Sequence, residues 1–115
     1  MNEYDDGKIW YRKKGRLLTV GLTEKVFEDI GSVQSINLPI EGEECEQDDV
    51  IGEVEGDKTA FEIIAPMSGT IEAVNDALEE DHELLEKDPL DEGWVFKIRI
   101  EKNEEASSEE ESEEE

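Results

Sequence analysis

The chain is short of most of what catalysis uses. A single cysteine, Cys45, a single histidine, His82, and three prolines stand among its 115 residues. One thiol closes no intramolecular disulfide and supplies no CxxC pair for metal or redox work. Cys45 lies in an acidic loop, where neighbouring carboxylates disfavour its thiolate. His82 sits in Glu79-Glu80-Asp81-His82-Glu83, at the expected start of a short helix and exposed to solvent. It has no partnered nucleophile, and no Ser/His/Asp set, phosphate loop or metal-ligand spacing occurs along the chain. The acidic clusters Glu43-Glu44, Asp48-Asp49 and Glu79-Glu80-Asp81 lack the ligand spacing of a calcium loop. Read from its own residues, the polypeptide is not an enzyme.

Positive charge is equally scarce. Eleven Lys and Arg face 35 Asp and Glu, for a formal charge of -24. The last twelve residues, 104–115, hold eight glutamates and no base; with those eight set aside, -16 remains over residues 1–103. Such a field repels nucleic acid and anionic membrane surfaces, and it speeds encounters with basic patches on partner proteins. The N-terminus has neither the basic start nor the apolar run of a secretory signal, and no stretch reaches membrane-spanning length. These features lead us to expect a soluble, cytoplasmic, monomeric protein of one domain, with no nucleic-acid or membrane partner.

Hydrophobic residues, 35% of the chain, are enough for one small core. Residues 1–8 are polar and are expected to form a flexible N-terminus, 9–102 a single domain, and 103–115 a disordered acidic tail of Glu and Ser. Ile9–Arg12 and Leu17–Leu22 read as strands joined by a glycine turn. Thr23 caps a short helix with Val26, Phe27 and Ile30 on one face, Glu24 at its positive end and Gly31 as its stop. Val33, Ile36 and Leu38 follow in an extended segment, then the carboxylate-rich loop from Ile40 to Asp49. Thr70–Asn75 reads as a strand, Asp81–Lys87 as a short helix burying Leu84 and Leu85, and Trp94–Ile100 as a last strand with Trp94, Phe96, Ile98 and Ile100 inward. Trp10 is left open between core and exposed docking surface. A faint internal repeat aligns Gly31-Ser-Val33-Gln-Ser-Ile36-Asn with Gly69-Thr-Ile71-Glu-Ala-Val74-Asn. Two like halves suggest two small sheets face to face, a mainly β protein with short flanking helices.

The stretch from Val50 to Gly69 organises the rest. Two extended arms with alternating side chains, Val50–Glu55 and a second carrying Phe61 and Ile63, meet through Gly56-Asp57-Lys58-Thr59, a hairpin with a lysine at its tip. Gly accepts positive φ and Asp bonds its own backbone, so a tight reversal presenting Lys58 to solvent is expected. Pro66 and Gly69 end the second arm.

Glu55-Gly56-Asp57-Lys58-Thr59-Ala60, with Ala65-Pro66-Met67-Ser68-Gly69 beginning seven positions after the lysine, resembles the lipoyl-lysine hairpin of lipoyl carrier domains. Within that superfamily the chain is most similar to the glycine cleavage H-protein family. Thr19-Val20-Gly21-Leu22-Thr23, Asp29-Ile30-Gly31, Leu38-Pro39, Asp88-Pro89 and Gly93-Trp94-Val95-Phe96-Lys97-Ile98 carry the likeness across Trp10 to Ile100. The resemblance implies a flattened, pseudo-symmetric β-barrel or sandwich, the lipoyl-domain hybrid motif. It implies lipoic acid joined as an amide to Lys58 by a lipoate ligase or transferase, with Glu55, Gly56 and Asp57 serving recognition of the hairpin. The carrier would then be non-enzymatic. Its arm would take an aminomethyl group from a pyridoxal-phosphate glycine decarboxylase to an aminomethyltransferase, and dihydrolipoamide dehydrogenase would reoxidise it.

The chain departs from the family at three places. Lys8-Ile9-Trp10 stands where H proteins have His-Glu-Trp, Gly56-Asp57 precedes the lysine where they have a small hydroxyl residue and an apolar one, and an acidic tail replaces a C-terminal helix. Biotin is disfavoured, because its carriers place methionine on both sides of the lysine. Two alternatives stay open on these residues: an H-like lipoyl carrier serving sulfur oxidation or an ADP-ribosylation-linked system, and an unmodified acidic interaction module.

Overall fold

In a computed structural model of the chain, residues 1–100 are described; the tail expected over 103–115 lies outside them. The elements in chain order are β1 (Asn2–Tyr4), β2 (Ile9–Lys14), β3 (Leu17–Leu22), α1 (Glu24–Ile30), β4 (Val33–Asn37) and β5 (Glu44–Cys45). Then come β6 (Val50–Gly56), β7 (Ala60–Ile64), β8 (Gly69–Val74), α2 (Ala77–Glu80), α3 (Leu84–Lys87) and β9 (Phe96–Arg99). The strands form two antiparallel sheets, one of order β1-β2-β3-β9-β8-β5 and one of order β4-β6-β7. Among the described residues no ladder joins the two, so the architecture is a sandwich with short helices between its strands.

Alternation places the core. Leu18, Val20 and Leu22 of β3, Phe96 and Ile98 of β9 and Ile71 of β8 meet Val54 and Ile63 of the smaller sheet, with Val26 and Ile30 of α1 completing the cluster. The sequence repeat is real in three dimensions. β4 pairs with β6 as β8 pairs with β9, and each pairing carries an irregularity at the same repeat position, between Val33 and Ser35 in one half and between Ile71 and Ala73 in the other. An extra residue there, Gln34 or Glu72, bends the strand and raises its local twist, which lets each pair wrap the core.

Three expectations are corrected. Asn2–Tyr4, within the segment read as loose, pair with Tyr11, Trp10 and Ile9 as an edge strand. Edge pairing needs only backbone groups, so polar side chains did not advertise it. The last strand begins at Phe96, not Trp94, and Trp94 is only half-buried with the Lys97 ammonium 5.0 Å from its ring. Trp10 is the fully buried tryptophan. Its ring lies over its cross-strand partner Gly21, where any Cβ would come within 2.4 Å of the indole. The indole N–H donates to the Pro89 carbonyl at 2.8 Å, latching the loop before β9 over the sheet. Buried Asn75 holds the same loop from the other side, its amide donating to the Glu92 and Trp94 carbonyls at 2.9 and 2.8 Å. The short helix α2, also unforeseen, buries Leu78 beside the expected Leu85.

Truncating Trp10 or Phe96 to alanine is expected to cost about 3–5 kcal/mol in urea unfolding, and Trp94→Ala about 1–2 kcal/mol. Equal losses at Trp10 and Trp94 would contradict this assignment of the core.

Candidate functional site

The lysine turn is built as the hairpin sequence suggests and held by something the sequence did not announce. β6 and β7 run in register through Glu53↔Glu62, Val54↔Phe61 and Glu55↔Ala60, and the Gly56 N–H closes the turn on the Thr59 carbonyl at 2.9 Å. Asp57 and Lys58 occupy the tip and both are exposed. The tip rests on the end of α1. The Lys58 N–H donates to the Ile30 carbonyl at 2.9 Å and the Asp57 N–H to the Ser32 carbonyl at 3.0 Å. In return the Ser32 N–H donates to Asp57 Oδ1 at 3.1 Å.

Two glycines make this approach possible. At Gly56 a Cβ would lie 2.2 Å from the Ile30 carbonyl oxygen, and at Gly31 it would lie 2.0 Å from Asp57 Oδ1. Gly31 also has φ of 84°, the left-handed helix stop expected of it, with its N–H on the Phe27 carbonyl. Gly56 is different from expectation: it is not among the described glycines with positive φ, and its need for no side chain comes from the neighbouring helix end.

The helix that carries the turn is itself well seated. Thr23 Oγ1 accepts from the Lys25 N–H at its start and donates to the Gly7 carbonyl at 2.6 Å. Lys8, just before β2, reaches Asp29 Oδ2 at 3.4 Å while its ammonium lies 6.0 Å from the Phe61 ring, which links the start of β2 to α1 and β7. Past the helix, Glu86 of α3 accepts from the Val33 N–H at 2.7 Å.

Lys58 therefore combines a fixed backbone with a free amine. Among the described residues no ion pair or hydrogen bond engages its side chain, whereas Lys8 and Lys87 are paired with Asp29 and Glu83. Glu55, also exposed, accepts from Ser35 Oγ at 3.1 Å on the strand below. Asp57, exposed at the tip, also accepts from the Ser32 N–H, so one of the three expected recognition residues has a partner within the fold as well. The partners missed by sequence reasoning are Ile30 and Ser32, which act through backbone groups. Only the Gly31 helix stop pointed toward them.

The other chemical candidates stay apart from this turn's hydrogen bonds. His82, expected exposed at a helix start, instead lies half-buried between α2 and α3, its buried Nδ1 without a partner among the described residues. Cys45 is buried beneath a hollow of about 420 Å³ lined by Glu44, Glu46, Asp49 and Ser68. Its pKa is raised, chiefly by burial and further by the Asp49 charge, so burial rather than the acidic loop leads. No group of His, Cys, Asp and Glu among the described residues is placed to hold a metal ion. No helix there is long and apolar enough to cross a membrane.

Comparison with known proteins gives a consistent result. The family model described as "Glycine cleavage H-protein" matches residues 2–115. The glycine cleavage system H protein of Thermotoga maritima is 37% identical over 100 residues, covering 87% of this chain and 81% of its own length. A probable glycine cleavage system H protein of Haloarcula marismortui is 36% identical over 97 residues, covering 84% of this chain and 76% of its own. Among solved structures, a glycine cleavage system H protein from Mycobacterium marinum superposes with a TM-score of 0.77 at 31% identity, over 84% of this chain and 81% of that one.

Two outcomes are expected from the site. Gly56→Ala, which drives a methyl into the Ile30 carbonyl, should destabilise by about 1–3 kcal/mol and raise exchange of the Lys58 amide; unchanged exchange would remove the clamp from the account. Because folding raises the Cys45 pKa, the folded state holds that proton more tightly. Its stabilising contribution is present below the ordinary thiol pKa and falls as pH rises past it. Native Cys45 should accordingly resist alkylation at neutral pH and react on unfolding.

Proposed function

The chain belongs to the glycine cleavage H-protein family, and from that membership we propose that Lys58 is the attachment point of lipoic acid, bound through an amide to Nζ. The family's members carry a group between enzymes and do not catalyse. The observation that carries the reading is the unpaired, exposed Lys58 amine on a turn whose backbone is bonded to the end of α1. The residues present fit such a group: the amine is open to a modifying enzyme, and nothing among the described residues competes for it. Amide-linked lipoate supplies a dithiolane on a long tether, which holds a carried group at high effective concentration near each partner's active site.

The chain's own contribution is to present and to limit. The Ile30 and Ser32 bonds set where the tether starts, and Asp57 holds that geometry. Glu55 is the exposed carboxylate three residues before Lys58, and we assign it to recognition by a lipoate ligase or transferase together with the Gly56 turn and exposed Asp57. The partners of the loaded carrier in this reading are a pyridoxal-phosphate glycine decarboxylase, an aminomethyltransferase and dihydrolipoamide dehydrogenase. The acidic surface, -24 overall, favours docking against basic patches that weaken with salt.

The test is the intact mass of the chain after incubation with a lipoate ligase, lipoate and ATP, with peptide mapping. One lipoyl adduct at Lys58 is expected, none on Lys58→Arg, and a loading rate reduced about tenfold or more on Glu55→Gln. An adduct that persists on Lys58→Arg would overturn the assignment.

A further inference from the structure

A sheet edge is a row of backbone donors and acceptors without partners, and folds shorten, charge or cover it. Among the described residues the two sheets end in four edges, β1, β5, β4 and β7. β1 is three residues long and β5 two. β4 is covered, since α2 packs against it and Glu86 accepts from its first N–H, that of Val33, at 2.7 Å. β7 is neither short nor covered: it runs five residues from Ala60 to Ile64, with β6 on one side and no strand on the other.

Register decides which groups the open side presents. The Gly56 N–H on the Thr59 carbonyl makes those two a hydrogen-bonded pair. Alternation then makes Glu55↔Ala60 a non-bonded pair, Val54↔Phe61 a bonded one and Glu53↔Glu62 a non-bonded one. At the far end Ala65 bonds to Asp48 and Asp49, on the β6 side. The N–H and C=O groups of Ala60, Glu62 and Ile64 therefore point away from β6, and among the described residues no hydrogen bond engages them.

The same register leaves a conflict of charge on the outer face. Val54 and Ile63 are buried on the inner face, so the directly opposed Glu53 and Glu62 both stand on the outer one, with Glu55 next along β6. Like charges directly opposite each other destabilise a sheet. Among the described residues neither Glu53 nor Glu62 has an ion pair, and β4, β6 and β7 contain no Lys or Arg. Lys8, 6.0 Å from the Phe61 ring, is paired with Asp29. A second copy pairing edge to edge through β7 would bring still more carboxylates together, whereas a cation across from Glu62 would relieve the conflict. Charge alone attracts any cation; the backbone row selects an extended chain.

We propose that the open edge of β7 takes an extended basic segment of a partner protein as an added strand. The guest places an Arg or Lys across from Glu62 and small or apolar side chains across from Ala60 and Ile64. Its backbone pairs with the outward groups of those three residues, and its cation offsets the repulsion between Glu53 and Glu62. The added strand lies beside the segment leading from Lys58, and its binding is independent of what Lys58 bears.

The test uses the full, unmodified chain and the capped peptide Ser-Val-Thr-Arg-Thr-Ala-Ser, which in antiparallel register sets Val, Arg and Ala across from Ile64, Glu62 and Ala60. A control peptide of the same charge carries N-methyl groups on those Val, Arg and Ala amides, the ones that face β7. By NMR at about 0.15 M salt, the parent peptide should slow exchange of the Ala60, Glu62 and Ile64 amides by about tenfold or more and leave those of Asn2–Tyr4 unchanged. N-methylation should weaken binding by about tenfold or more, and so should Glu62→Lys. Glu79→Lys, an equal charge change on α2, should weaken it by less than about threefold. Equal binding of the N-methylated peptide, protection at another edge, equal losses from the two charge variants, or no binding of the parent peptide would each overturn the proposal.

Discussion

The Ile30 carbonyl is the pivot of this molecule. It is the last residue of α1, where carbonyls lack helical partners, and here the amide of Lys58 supplies one. That bond demands that two backbones meet, and so glycine is required at both Gly31 and Gly56. It also demands that α1 be held, which Thr23, Lys8 and the buried Val26 and Ile30 accomplish. Packing of the helix on the smaller sheet, closure of the hairpin and the position of the reactive amine are thus one arrangement, not three.

The rest of the sandwich serves that arrangement by duplication. Each half contributes an antiparallel pair with an extra residue at the same place, and both halves supply residues to one core, Val54 from the first and Ile71 and Phe96 from the second. Only one half turns back on itself through a lysine-bearing tip. In the other, β9 passes instead to β3, a strand from the start of the chain. A repeated frame has therefore been finished in two ways, once as a presenting turn and once as a sheet edge closed by the N-terminal hairpin.

Much of this was legible in the residues. Thr23 and Gly31 marked the ends of α1, Gly56-Asp57-Lys58-Thr59 marked the turn, and the spacing of Val33 and Ile71 marked the repeat, because each signal is local and has a backbone cause. What escaped was non-local. Trp10 is buried through a carbonyl 79 residues away and a glycine on the next strand, so its own neighbours gave no hint. Alternation counted back from Phe96 put Trp94 inside, yet the strand had not begun there. The bond from the Ser32 N–H to exposed Asp57 was not foreseen either, since the partner is a backbone amide that carries no sequence signature.

The anchoring of Lys58 to a helix rather than to its own hairpin means that its placement is a property of tertiary structure. A peptide copying residues 50–64 would contain the same turn and lack the Ile30 and Ser32 contacts altogether. An enzyme that reads the position of the amine is then reading whether the domain has folded. The end of α1 and the hairpin tip must both be in place before the amine has a defined position, so that position reports on two separate segments of the chain at once.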